Sequence, residues 1–173
     1  MPTLSENIRT WNDDYGWPQD GEEWSTPWGN SEMHWRGTLL PRIGRWLPAG
    51  SVVEIAPGRG RWTRFLLPLA ERLHLVDQSP ECINRCKERF ANAPALTFEV
   101  NDGRTLRGVP DASVDFLFTY DSLVHAELDV MKAYLAEFRR TLKPGGFAFV
   151  HHSNLHEHVR YFGPLSLLPR YTG

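Results

Sequence analysis

The run Ser51-Val52-Val53-Glu54-Ile55-Ala56-Pro57-Gly58-Arg59-Gly60 passes from a β-branched strand, through an acid, into a turn with two glycines. Glycine lets a backbone bend sharply and approach a ligand closely, because no Cβ stands in the way. The residues that follow read as a helix, whose free N–H groups point back at whatever occupies the turn. An α/β sheet builds a nucleotide-type pocket in this way, at the carboxyl end of its first strand.

Leu73-His74-Leu75-Val76-Asp77 reads as a second short strand ending in an acid. A carboxylate there can accept hydrogen bonds from both hydroxyls of a ribose. Its other reading is a turn or cap residue, since Ser79-Pro80-Glu81 opens a helix. The upstream glycine turn favours the ribose. A dinucleotide fingerprint needs another small residue three places after Gly60, where Thr63 stands, and its first glycine is missing as well. A nicotinamide-dependent oxidoreductase is therefore the weaker expectation.

Further landmarks follow in order. Phe98-Glu99-Val100-Asn101-Asp102-Gly103 reads as a third strand and its following acid. Ser113-Val114-Asp115-Phe116-Leu117-Phe118-Thr119-Tyr120-Asp121 reads as a fourth, and Leu142-Lys143-Pro144-Gly145-Gly146-Phe147 as a turn into a fifth. With Glu54, Ala56, Gly58 and Gly60, this succession over residues 35–155 resembles the class I S-adenosylmethionine-dependent methyltransferases. Ala56 stands where that family most often has glycine. The resemblance implies a three-layer, Rossmann-like α/β sandwich with a mainly parallel sheet of about five strands, ordered 3-2-1-4-5. It implies S-adenosyl-L-methionine as cofactor, held by Glu54, Ala56, Gly58, Gly60, Asp77, Gln78, Asn101, Asp102, Gly103 and Tyr120.

At 173 residues, with 41% hydrophobic and 23% charged residues, the chain has the make-up of one ordinary globular domain. A net charge of −2 gives no basic field for nucleic acid or an anionic membrane. No apolar run reaches spanning length and the first residues lack a signal-peptide core, so a cytoplasmic protein is expected. Cys82 and Cys86 lie four apart on one predicted helix, which suits small core residues better than a disulfide or a metal pair.

Residues 1–30 read as an irregular arm, and residues 31–173 as the cofactor-binding domain. Six of the seven tryptophans precede residue 50. Disordered segments are poor in aromatics, so the arm is expected to pack on the domain, either lidding the pocket or covering the sheet. Helices are predicted from Ser31 to Leu40 with a break or kink at Pro41, and after the glycine turn through Trp62, Phe65, Leu66 and Leu69 with a kink at Pro68. Another is expected over 80–90. A long one over 126–142 would bury Leu128, Met131, Leu135, Phe138 and Leu142. Family members usually end with one more helix and two more strands, and nothing after His151 resembles them. The fifth strand is then an apolar edge to be covered by the arm, a second subunit or a missing C-terminal segment.

Methyl transfer from a sulfonium is an in-line displacement, so positioning dominates. A hydroxyl acceptor must also lose its proton, and histidine suits that role. His125 is the first candidate, followed by His151 and His152, of which strand alternation lets only one face the pocket. Each also reads as a histidine hydrogen-bonded in a turn. Asp121, His152 and Asn154 are the set a metal-assisted variant would need, although their spacing does not demand a metal. The Asn/Asp-Pro-Pro-aromatic motif of many amino methyltransferases is replaced by Thr119-Tyr120-Asp121-Ser122. The expectation is thus O-methylation of a small molecule by His125, His152 and Asp121. The competing expectation is a non-catalytic methyltransferase-like partner subunit.

Overall fold

A computed structural model describes residues 2–152. Asn154, His156 and the C-terminal prolines lie outside the described residues. Strands β1 (Ala49–Ile55), β2 (Ala70–Asp77), β3 (Leu96–Val100), β4 (Val114–Thr119) and β5 (Leu142–Val150) form one sheet in the order β3-β2-β1-β4-β5. Every pairing is parallel. Both the order and the direction are those that the sequence predicts.

A parallel sheet must be covered on both faces, so its strands alternate between two apolar layers instead of between oil and water. Val52, Phe116 and Phe118 point to one core with Trp35, Leu39, Ile43, Trp62 and Leu66. Val53, Ile55, Val76 and Leu117 point to the other with Val130, Tyr134 and Phe138. Helix α5 (Pro80–Arg89), N-capped by Ser79, buries Cys82, Ile83 and Cys86 on the first side. Helix α6 (Leu128–Thr141) covers the second.

The buried stripe of α6 holds Phe138 as predicted, with Met131 and Leu142 packed beside it, but differs from the prediction elsewhere. Val130, Tyr134, Phe138 and Thr141 face the sheet, whereas Leu128 and Leu135 are 70% and 53% exposed. Two stripes at helical spacing compete there, and the one carrying Tyr134 wins, its hydroxyl accepting a hydrogen bond from Asn101.

Of the break or kink expected at Pro41, the helix shows a local widening and no break. Helix α2 (Ser31–His34) widens to a π-turn over Trp35–Leu39 and continues as α3 (Leu40–Ile43). The wider turn accommodates both the missing N–H of the proline and its ring. After the glycine turn, helix α4 is only Thr63–Leu66, and Pro68 lies in the 3-10 turn Leu67–Leu69 that ends it. The expected turn before the fifth strand is a bulge within it: Val114 pairs Leu142, then Phe116 pairs Phe147. β5 is the last strand of the sheet among the described residues.

The arm is more helical than its composition suggests. Helix α1 (Leu4–Arg9) carries a capping box of Thr3 and Glu6 and runs into a π-turn, Thr10–Asp14; a 3-10 helix follows at Glu22–Trp28. The arm packs back over the carboxyl ends of the strands. Asn12 accepts from Ser79 Oγ (3.1 Å) and Glu81 N (3.3 Å) at the start of α5, and Asn7 Nδ2 donates to the His125 carbonyl at 3.2 Å.

Candidate cofactor site

A hollow enclosing about 950 Å³ of empty space, part of it open to solvent, lies where β1, β2 and β4 end beneath the arm. Its floor is the glycine turn. Ala56, Gly58 and Gly60 all have positive φ (52°, 56° and 84°). For Ala56 this left-handed backbone costs about 1 kcal/mol, which glycine would not incur. The two glycines serve different ends. A Cβ on Gly60 would stand 2.5 Å from the Phe90 ring, so Gly60 permits close packing after α5 and is not among the lining residues. Gly58 lines the hollow, with Trp17 packed on it.

Asp77, at the end of β2, is 6% exposed and turned into the hollow. Its Oδ2 accepts from Gly58 N (3.2 Å) and its Oδ1 from Ser79 N (2.9 Å). A carboxylate has about four acceptor positions, so these two bonds leave acceptor capacity for a ligand's hydroxyls. Burial pushes the acid up to about 6 despite these N–H donors. Gln78 and Gly103 continue the wall, and Leu4 and Gln78 pack so closely on Gly103 that a Cβ there would lie 2.5 Å and 2.7 Å from them.

Besides Gly60, three more of the predicted cofactor residues stand behind the wall instead of on it. Glu54 is buried, accepts from Thr63 Oγ1 at 2.7 Å, and is pushed up to about 8 by burial. Asn101 accepts from Gly103 N (3.0 Å) and donates to Thr105 O and Tyr134 Oη, which shapes the loop. Asp102 is exposed and closes a turn by accepting from Arg104 N, Thr105 N and Thr105 Oγ1. Burial opposes its charge, but those donors outweigh it and hold the carboxyl below the usual range.

The post-β4 segment forms the opposite wall through Tyr120, Asp121, Ser122, Leu123 and His125. His125 is half-buried, and burial lowers its pKa against the pull of Asp121. Its ring lies 5.5 Å from that of Trp11, and the imidazole nitrogens make no hydrogen bond among the described residues. Neither His151 nor His152 lines the hollow: His152 is exposed, and His151 lies beside Asp121, stacked on Tyr120 at 4.4 Å with Nδ1 3.2 Å from Asp121 Oδ1. No group of three or more His, Cys, Asp or Glu side chains among the described residues is arranged to hold a metal ion.

The arm supplies the roof. Trp11, Trp17 and Trp24 line the hollow, and with Tyr15 their rings touch pairwise at 5.2–6.0 Å. Two polar residues absent from the sequence-based set tie roof to floor. Arg61, 5% exposed, donates to Asp121 Oδ2 (2.7 Å) and to Ser25 Oγ (3.2 Å). His34, fully buried, lies within hydrogen-bond reach of Ser25 Oγ and Tyr120 Oη and stacks on Trp28 at 3.6 Å. Burial, with the Arg61 charge, pushes it down to about 4, so it is neutral. No local signal singles out Arg61, because it stands between Arg59 and Arg64 in Gly58-Arg59-Gly60-Arg61-Trp62-Thr63-Arg64.

Comparison with known proteins identifies the family of the fold. A family model described as "Methyltransferase domain" matches residues 52–146, more than half of the chain. A curated relative from Talaromyces variabilis, "S-adenosyl-L-methionine-dependent Diels-Alderase iccD", is 39% identical over 111 residues. That match covers 60% of this chain and 37% of the relative, so the chain spans well under half of the relative's length. Among solved structures, "DhpI-SAM-HEP complex" has a TM-score of 0.65 at 24% identity, covering 92% of this chain and 68% of that one. The PH0226 protein from Pyrococcus horikoshii OT3 gives 0.66 at 23%, covering 89% and 67%. At these identities, the two structures speak to the fold. No helix among the described residues is long and apolar enough to cross a membrane. The chain belongs to the class I S-adenosylmethionine-dependent methyltransferases.

Proposed function

We propose that the protein transfers a methyl group to a hydroxyl of a small-molecule acceptor, with His125 taking the proton. The observation that carries this reading is the position of His125: an imidazole half-buried against Trp11, with no side-chain hydrogen bond among the described residues, in the same hollow as Asp77. The bound cofactor supplies an electrophilic methyl on a sulfonium. Asp77 holds the two ribose hydroxyls; Gln78 and Gly103 flank the adenine; Ala56 and Gly58 lie against the methionine portion. Glu54, Gly60, Asn101 and Asp102 act one layer back, by fixing the turn and the Gly103 loop. Tyr120 borders the acceptor side, where the tryptophan roof excludes water and offers an apolar face to the acceptor.

Neutral histidine is the base-competent form, and the lowered pKa keeps His125 in it at neutral pH. Asp121 is unsuited to that task. Burial opposes its charge, but the His151 hydrogen bond and Arg61 outweigh burial and hold the carboxyl below its usual range. The effective orientation of acceptor and methyl then provides most of the rate.

The test is incubation with trideuteromethyl-labelled cofactor and a panel of hydroxylated small molecules, read by mass spectrometry. A product heavier by one labelled methyl, with stoichiometric S-adenosylhomocysteine, is the expected result. The name of the Talaromyces relative favours a second reading, in which the cofactor is needed but not consumed. Substrate conversion that depends on the cofactor without S-adenosylhomocysteine would establish that reading and overturn the first.

A further inference from the structure

The hollow is lined by two guanidinium groups, Arg59 and Arg61. Arg59 is committed to the arm, with Nη1 3.1 Å from Asp20 Oδ1 and its guanidinium 5.5 Å from the Trp17 ring. Arg61 differs. Its side chain is 6% exposed and lies 4.4 Å from the Trp62 ring and 5.5 Å from that of Trp24, in an environment where a charge is costly without partners. Its partner is Asp121, whose Oδ1 faces His151 while Oδ2 meets Arg61. Asp121 sits at φ 65°, an unfavourable backbone for a non-glycine residue, at the end of the strand beside the glycine turn.

A guanidinium has five N–H donors, and the two hydrogen bonds of Arg61 leave three. Both partners line the same hollow as Ala56 and Gly58, beside which the functional reading above puts the methionine portion. That portion ends in an α-amino acid, which is a zwitterion. A buried cation–anion pair is charge-complementary to a zwitterion: carboxylate meets guanidinium, ammonium meets carboxylate, and no net charge is added to the interior.

We propose that the Arg61–Asp121 pair is the receptor for the amino-acid end of the cofactor, Arg61 holding the α-carboxylate and Asp121 the α-ammonium. This assignment rests on the reading of the hollow as the cofactor site, and takes Asp121 out of proton transfer. Ser25 on Arg61 then ties closure of the arm to occupancy of this end.

Isothermal titration with two ligands separates the possibilities. S-adenosylhomocysteine carries the amino-acid end; 5′-methylthioadenosine keeps the adenosine and thioether without it. Arg61→Met and Asp121→Asn are expected to weaken S-adenosylhomocysteine at least tenfold and 5′-methylthioadenosine less than twofold, with Arg61→Lys intermediate. Near-UV circular dichroism checks the fold, and if Arg61→Met fails it, Asp121→Asn and Arg61→Lys carry the same criterion. Equal losses for both ligands, or unchanged S-adenosylhomocysteine affinity in a folded variant, would overturn the assignment alone. A wild-type protein that binds neither ligand would overturn the cofactor-site reading and this assignment together.

Discussion

Trp17 packs directly on Gly58: a methyl group on the glycine would stand 2.7 Å from the indole Cη2 and 3.0 Å from Cζ3. The roof of the hollow is thereby fitted to its floor, and the fit depends on the residue with no side chain. Gly58→Ala is expected to cost about 1–3 kcal/mol, partly from the clash and partly from the left-handed backbone. Trp17→Ala should recover only the steric part. A urea double-mutant cycle measures this coupling, and strictly additive losses would contradict the contact.

Asp77 binds hydroxyls as a carboxylate, and burial pushes its pKa up to about 6. Protons compete with the ligand below that value. S-adenosylhomocysteine affinity is therefore expected to be full above about pH 7 and to fall as pH drops through 6, approaching about tenfold per pH unit. Asp77→Asn should weaken binding at least about tenfold at neutral pH and flatten this dependence, because the charge-assisted acceptor is gone. Titration calorimetry between pH 5 and 8 reads both effects.

Glu54 lies behind the turn and is pushed from 4.5 up to about 8 by burial. Between those values the folded state binds more protons than the unfolded one. Its favourable contribution is complete below about 4.5 and is lost as pH rises through 8. Glu54→Gln, always neutral and able to accept from Thr63, should gain stability relative to wild type at pH 8.5 and much less at pH 5. Equal differences at both pH values, by urea denaturation, would show that the acid is not buried as described.

His125→Gln should lower methyl transfer by about 10²–10⁴-fold while leaving cofactor affinity within about twofold. The wild-type rate should fall on the acid side with a pKa below the usual histidine value, since burial disfavours the imidazolium. Full activity in the variant would remove His125 from the reaction.

The sheet order was legible because each strand end carries its own signal: the glycine turn after Ile55, the acid closing β2, and the Asn101-Asp102-Gly103 and Tyr120-Asp121 segments. The inward stripe of α6 was not, because Leu128 and Leu135 compete at helical spacing with Val130, Tyr134 and Phe138, and only the tertiary partner Asn101 favours the second set. The site divided in the same way. Asp77, Gly58 and His125 belong to short motifs. The Arg61–Asp121 pair joins residues 60 apart, and the Ser25–His34–Tyr120 chain links the arm to β4, so neither has a local pattern to read. Glu54 and Gly60 belong to the motif yet lie off the hollow, Glu54 on Thr63 and Gly60 against Phe90, and spacing alone does not separate such positions from the wall.

A crystal structure with S-adenosylhomocysteine tests the central claim most directly. The nucleoside is expected in the hollow after Ile55, with both ribose hydroxyls within hydrogen-bond distance of the Asp77 carboxylate. Electron density for the nucleoside elsewhere, or a ribose that makes no contact with Asp77, would contradict the account.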